Sequence, residues 1–180
     1  FTADDEGVRF GLSSIRNVGA SVVEGIVKAR EEKGAFTSFQ DFLDKVPQEV
    51  CNKRTIQSLI KAGAFDSFGH SRRALSVRSD DAVDSVLGLK RNEANGQYDL
   101  FAGLAGDDSP SSFTVEVPDI PDWDRREKLA LEREMLGLYV SDHPLRGGER
   151  SLAKHQEFEI GAIKEDPQKF DNKRVQIAGL

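Results

Sequence analysis

The residues from Gly11 to Arg30 constrain the fold more than any other stretch. Leu12 and Ile15 offer one short apolar turn, and the pattern then breaks at Asn17 and Gly19 around a lone Val18. A tight hairpin fits that break. Asn tolerates a left-handed backbone because its short polar side chain bonds locally, and Gly has no Cβ to clash. From Ala20 the apolar positions restart at Val22, Val23, Ile26 and Val27 with helical spacing, so the reading is helix, hairpin, helix. A hairpin of this kind brings the N-terminus of its second helix to the surface, where unpaired N–H groups and the positive dipole end favour an anion. The main-chain amides of Gly19, Ala20 and Ser21 are the candidate donors, flanked by Asn17 and Val18, and they would hold a nucleic-acid phosphate without reading sequence. The same spacing also suits a plain helical hairpin packed in a core.

Charge places any such contact in the first half of the chain. The net charge is -6, but residues 1–91 carry 14 basic against 13 acidic side chains and the remainder 11 against 18. The balance argues against a simple basic glove for DNA, and binding at the hairpin would be local and weak, because sequence-independent affinity scales with the number of phosphates neutralised. The single cysteine, Cys51, excludes an internal disulfide and a Cys-based zinc cage and reads as an inert, partly buried thiol. His70, His143 and His155 lie too far apart for metal-ligand spacing, and no metal site is expected. No apolar run approaches the roughly 20 residues that cross a bilayer and no leader is evident, so a soluble, cytoplasmic chain without a membrane partner is expected. The opening Phe1 and the apolar close over Val175 to Leu180 suggest a piece of a longer protein.

Along the chain, Phe1 to Glu6 read as frayed and Val8 to Phe10 as a short extended entry. The helix that begins at Ala20 should end near Gly34. Thr37 or Ser38 caps the next helix, whose Phe39, Phe42, Leu43 and Val46 face a core before Pro47 stops it. Asn52 caps a third helix that Gly63 halts, and a fourth runs from Ser71 or Arg72 to about Asn92. Helix, Gly-containing turn and helix thus recur between Thr55 and Leu89, with Arg72 and Arg73 near the second N-terminus as candidate phosphate contacts. This reads as a degenerate second copy of the opening unit stacked on the first, or else as one irregular four- or five-helix bundle. Past Asn95, Gly, Asp, Ser and Pro mark a surface loop in which Asp107 and Asp108 are solvated acids. Phe113, Val115 and Val117 alternate as in a short strand, and Asp122 or Asp124 starts a charged helix that buries Leu129, Leu131, Met135, Leu136 and Tyr139.

Within the loop stands Gln97-Tyr98-Asp99-Leu100-Phe101. Two adjacent large apolar residues on a polar loop either fold back onto the core or anchor in a pocket on another protein. In the second case Gln97 bonds at the pocket rim and Asp99 supports the turn of the peptide.

Four stretches, in order, resemble one family. They are Gly11 to Gly19, then Asn52-Lys53-Arg54 with Leu59 to Asp66, then Gln97 to Phe101, and finally Glu132 to Leu145. Together they resemble the alpha subunit of bacterial replicative DNA polymerase III, a C-family polymerase. The resemblance implies a mainly α fold: a tandem helix-hairpin-helix bundle over 1–94, a flexible segment with a clamp-binding motif over 95–122, one charged helical segment over 123–148, and a linker with the first strand of an OB-fold over 149–180. It implies contact with duplex DNA backbone, docking of Gln97, Asp99, Leu100 and Phe101 on the sliding clamp, and other replicase subunits reached through the parent chain. The magnesium-binding carboxylates of the family's polymerase site would lie upstream of Phe1, so no catalytic residue and no cofactor is expected in this piece. Family hairpins often carry Gly where Asn17 stands and related motifs Lys where Ser21 stands, so a supporting charge is missing. The competing readings are a helix-hairpin-helix domain of a DNA-repair protein, which would need a catalytic Asp, Lys or carboxylate cluster that is not evident, and an error-prone polymerase paralogue, expected to lack the intact Gln97 to Phe101 motif.

Overall fold

The computed structural model describes the backbone over residues 2–4, 7–94 and 114–178, and side chains over 8–91 and 114–178. The chain divides into two compact units, Phe1–Leu138 and Tyr139–Leu180. The fold is mainly helical, as expected.

In the first unit a short antiparallel ladder pairs β1 (Thr2–Asp4) with β2 (Gly7–Arg9), Ala3 lying opposite Val8. The expectation of a frayed start is thereby corrected: the polar residues Thr2 to Asp4 are held by backbone pairing, which hydropathy does not report. A 3-10 turn over Leu12–Ser14 takes the place of a full first helix, and α1 (Ala20–Lys33) follows the hairpin and ends at Gly34 with φ 82°. The next elements are α2 (Phe39–Lys45) and α3 (Lys53–Lys61), capped by Ser38 and Asn52 through side-chain oxygens that accept from Asp41, and from Arg54 and Thr55. Each cap satisfies amides that the first turn leaves unpaired. Next come α4 (Arg72–Ala94) and α5 (Arg125–Leu136), the latter capped by Asp124 and closed by a left-handed Gly137.

One apolar core joins these helices. Ile15, Val18 and Ile26 from the opening unit meet Leu43 and Val46, Ile56 and Ile60, Leu75, Val83 and Val86, and Met135 from α5. Phe65 closes its end, edge-on to Phe39 at 5.4 Å and to Phe42 at 4.9 Å. Helices α3 and α4 are also locked through polar groups: Gln57 Nε2 donates to the Ser76 carbonyl and to buried Ser79 Oγ, each at 2.9 Å, and Ser76 Oγ donates back to Gln57 Oε1 at 2.8 Å. Lys90 on α4 donates to the Asp44 and Val46 carbonyls at the C-terminus of α2, where a cation meets the negative dipole end. Cys51 is buried with Sγ 3.8 Å from the Leu43 carbonyl, and burial raises its thiol above the ordinary value.

The alternating segment expected as a strand from Phe113 is a strap instead; Phe113 itself lies outside the described residues. The Val115 N–H donates to Gln40 Oε1 at 2.8 Å, Arg78 Nε donates to the Glu116 carbonyl at 3.0 Å, and Ser71 Oγ donates to the Ile120 carbonyl at 2.9 Å. Side chains of α2, α4 and the residue before α4 thus take the bonds that a neighbouring strand would take, while Val115 and Val117 rest on the core.

The second unit holds α6 (Glu149–Ala153), α7 (Ile160–Glu165) and a 3-10 turn over Pro167–Phe170. Phe158 and Phe170 meet edge-on at 5.0 Å, and the Glu157 N–H donates to the Gln176 carbonyl at 2.9 Å. No strand forms over the described residues 175–178 of the expected opening strand, because a single backbone bond does not make a ladder.

Candidate nucleic-acid interface

The opening hairpin is fixed by bonds from helices distant in sequence. Asn17 adopts φ 66°, the left-handed conformation that its side chain permits. Its Nδ2 donates to Ser58 Oγ at 3.0 Å, and its carbonyl accepts from Thr55 Oγ1 at 3.3 Å, both partners on α3. One residue earlier the Arg16 N–H donates to the Met135 carbonyl on the last turn of α5 at 2.8 Å. Val18 is buried, whereas Arg16, Asn17, Gly19, Ala20 and Ser21 are exposed. The hairpin therefore keeps one residue in the core and leaves the entry to α1 open to solvent.

That entry has no internal anion. Gly19 is the N-cap of α1 in extended backbone, no side chain accepts from the first turn, and the turn contains no acidic residue. The main-chain amides at Ala20 and Ser21 thus keep the donor character of an uncapped helix start. Sequence reasoning passed over Arg16, an exposed cation beside Asn17, and Arg54, an exposed cation on the first turn of α3 next to Thr55. Arg54 is tied to the hairpin through the bonds of Thr55 and Ser58 to Asn17, long-range contacts with no local sequence signal.

The second candidate N-terminus is built differently. At the start of α4 the Ala74 N–H donates to Ser71 Oγ and the Arg73 N–H donates to Asp122 Oδ1, both at 3.1 Å. Asp122 also accepts from Lys128 Nζ at 2.7 Å and from the Trp123 N–H at 3.0 Å. Burial pushes its carboxyl up, but the Lys128 bond and the Arg73 amide outweigh that and hold it below the ordinary 3.8. A carboxylate already occupies the position a phosphate would take.

Arg72, expected at the DNA backbone, is corrected by its position: it is only 4% exposed. Its guanidinium grips Asp66 with two bonds, Nε to Oδ1 at 2.8 Å and Nη2 to Oδ2 at 2.6 Å, donates to the Lys61 carbonyl at 3.2 Å, and lies 3.4 Å from Glu132 Oε1 on α5. Burial would lower its pKa, but the Asp66 bond and charge, followed by Glu132, raise it instead. Gly63, at φ 84°, makes room for this group, since a Cβ there would fall 2.2 Å from Nη2. Of the two arginines only Arg73 has an exposed side chain.

Gln97, Asp99, Leu100 and Phe101 lie outside the described residues, as do Asp107 and Asp108. In the second unit, Asp142, His143, Arg146 and Glu149 help line an open hollow of about 630 Å³. Asp142 Oδ1 accepts from the His143 N–H and from Arg146, and the Leu145 N–H donates to His143 Nδ1, so these groups are engaged with one another. Among the described residues no group of three or more His, Cys, Asp or Glu side chains is placed so that it could hold a metal ion. No helix among them is long and apolar enough to cross a membrane.

A short turn with a left-handed residue delivering an exposed helix start defines a helix-hairpin-helix protein, and a family model of the helix-hairpin-helix motif matches residues 1–75. The whole chain is 51% identical to part of the DNA polymerase III subunit alpha of Saccharopolyspora erythraea, 48% to that of Mycobacterium leprae and 36% to that of Vibrio cholerae. The chain belongs to this family and spans about 15% of the length of these relatives.

Replacing Arg72 with Ala removes both bonds to Asp66, the bond to the Lys61 carbonyl and the cation facing Glu132, so the unfolding free energy should fall by about 3–5 kcal/mol in a urea titration. A loss below about 1 kcal/mol would contradict the bonding described for Arg72.

Proposed function

We propose that this chain is a non-catalytic part of a replicative DNA polymerase, in which the hairpin from Asn17 to Ser21 holds the backbone of duplex DNA and Gln97 to Phe101 docks on the sliding clamp. The observation that carries the first contact is the exposed, uncapped start of α1 behind a hairpin fixed by α3 and α5. The amides of Gly19, Ala20 and Ser21 bond a phosphate, and Arg16 and Arg54 supply the cationic support that Ser21 lacks. Arg73 adds an exposed cation elsewhere on the unit. No base is read, so binding is sequence-independent and weak.

The clamp contact rests on the motif itself, with Leu100 and Phe101 as pocket anchors and Gln97 and Asp99 as polar support, and on the family to which the chain belongs. A clamp that encircles the duplex joins the two contacts. Each raises the effective concentration of the other, so processive synthesis needs tight binding at neither. Polymerisation and its magnesium ions belong to the rest of the parent protein, with other replicase subunits reached through it, in the cytoplasm.

Ser21→Glu places a carboxylate in the first turn of α1, where it favours the helix but repels phosphate. In a fluorescence titration with duplex DNA at low salt, affinity should fall about tenfold or more with no loss of melting temperature; unchanged affinity would contradict the phosphate contact. The double substitution Leu100→Ala with Phe101→Ala should abolish binding to the cognate clamp while circular dichroism stays the same. Retained clamp affinity would remove that half of the proposal.

A further inference from the structure

We propose that Asn17 is a positioning residue, and that its side-chain bond to Ser58 sets the orientation in which the hairpin meets DNA. The inference rests on the duplex-binding reading above. An exposed turn residue at φ 66° has no need of its side chain for backbone reasons alone, since Gly adopts that conformation without strain. Here the side chain is engaged. Ser58 is 3% exposed, and its hydroxyl donates to the Arg54 carbonyl at 2.9 Å. With that proton committed, the oxygen accepts from Asn17 Nδ2 at 3.0 Å, which assigns the amide nitrogen to this side of Asn17.

Ser58 thereby connects both parts of the interface. Through Asn17 it holds the turn that precedes the amides of Gly19 to Ser21, and through the Arg54 carbonyl it touches the backbone of the residue that carries the neighbouring exposed cation. The bond from Thr55 Oγ1 to the Asn17 carbonyl and the bond from the Arg16 N–H to the Met135 carbonyl keep the turn in place if the Asn17 amide is lost. Removing the amide therefore loosens the angle of the hairpin without unfolding it. Ser58 keeps its bond to Arg54, so no buried donor is orphaned, and relief of the left-handed strain offsets the lost bond.

The test is a titration of the full chain with a labelled duplex at two salt concentrations, for wild type, Asn17→Gly, Ser58→Ala and the double variant. Each single variant should weaken binding about fivefold, the worth of one hydrogen bond. The double variant should be no weaker than either single one, because both remove the same link. The slope of affinity against salt should stay unchanged, because no cation is removed. The melting temperature of Asn17→Gly should match wild type. Wild-type affinity in Asn17→Gly, or additive losses in the double variant, would overturn the positioning role alone. A wild-type chain that binds no duplex at low salt would overturn the duplex-binding reading and this inference with it.

Discussion

The buried guanidinium of Arg72 is the joint on which the first unit depends. It binds the turn after α3 through Asp66 and the Lys61 carbonyl, and it faces Glu132 on α5. Desolvating a buried pair costs about as much as its Coulomb attraction returns, so this arrangement contributes placement more than net stability. What it places is α5, whose Met135 carbonyl holds the Arg16 amide at the mouth of the hairpin. A residue with the charge to bind DNA thus acts at one remove, by keeping in position the helix that supports the hairpin.

The helix starts of α1 and α4 are built differently. At α4, Ser71 and Asp122 accept from the first turn, and Asp122 belongs to the strap that leads into α5. At α1 the N-cap is Gly19 and nothing accepts. The same backbone physics therefore yields an internally capped helix start in one place and an uncapped one in the other. This also reconciles a net charge of -6 with a nucleic-acid role, because a few oriented amides need no basic face.

Much of the helical plan was legible because its signals are local. Ser38, Asn52 and Asp124 act as caps, and Gly34 closes a helix, each within a few residues of the element it bounds. Asn17 was readable as left-handed for the same reason. Contacts across long separations were not readable. Arg72 looked like a helix-start cation because Glu132 lies 60 residues away. The segment after Phe113 looked like a strand because Gln40 and Arg78, which take its bonds, sit on other helices. Arg54 was passed over as a neighbour of the hairpin because only the fold brings α3 beside it.

The central claim is that phosphate meets the start of α1, and amide chemical shifts test it most directly. On adding a short duplex to the isotopically labelled chain, the backbone amides of Gly19, Ala20 and Ser21 should move most, with Arg16 and Arg54 following, while those of Arg72 and the start of α4 stay still. Binding that shifts the start of α4 and leaves Gly19 to Ser21 unmoved would contradict the account.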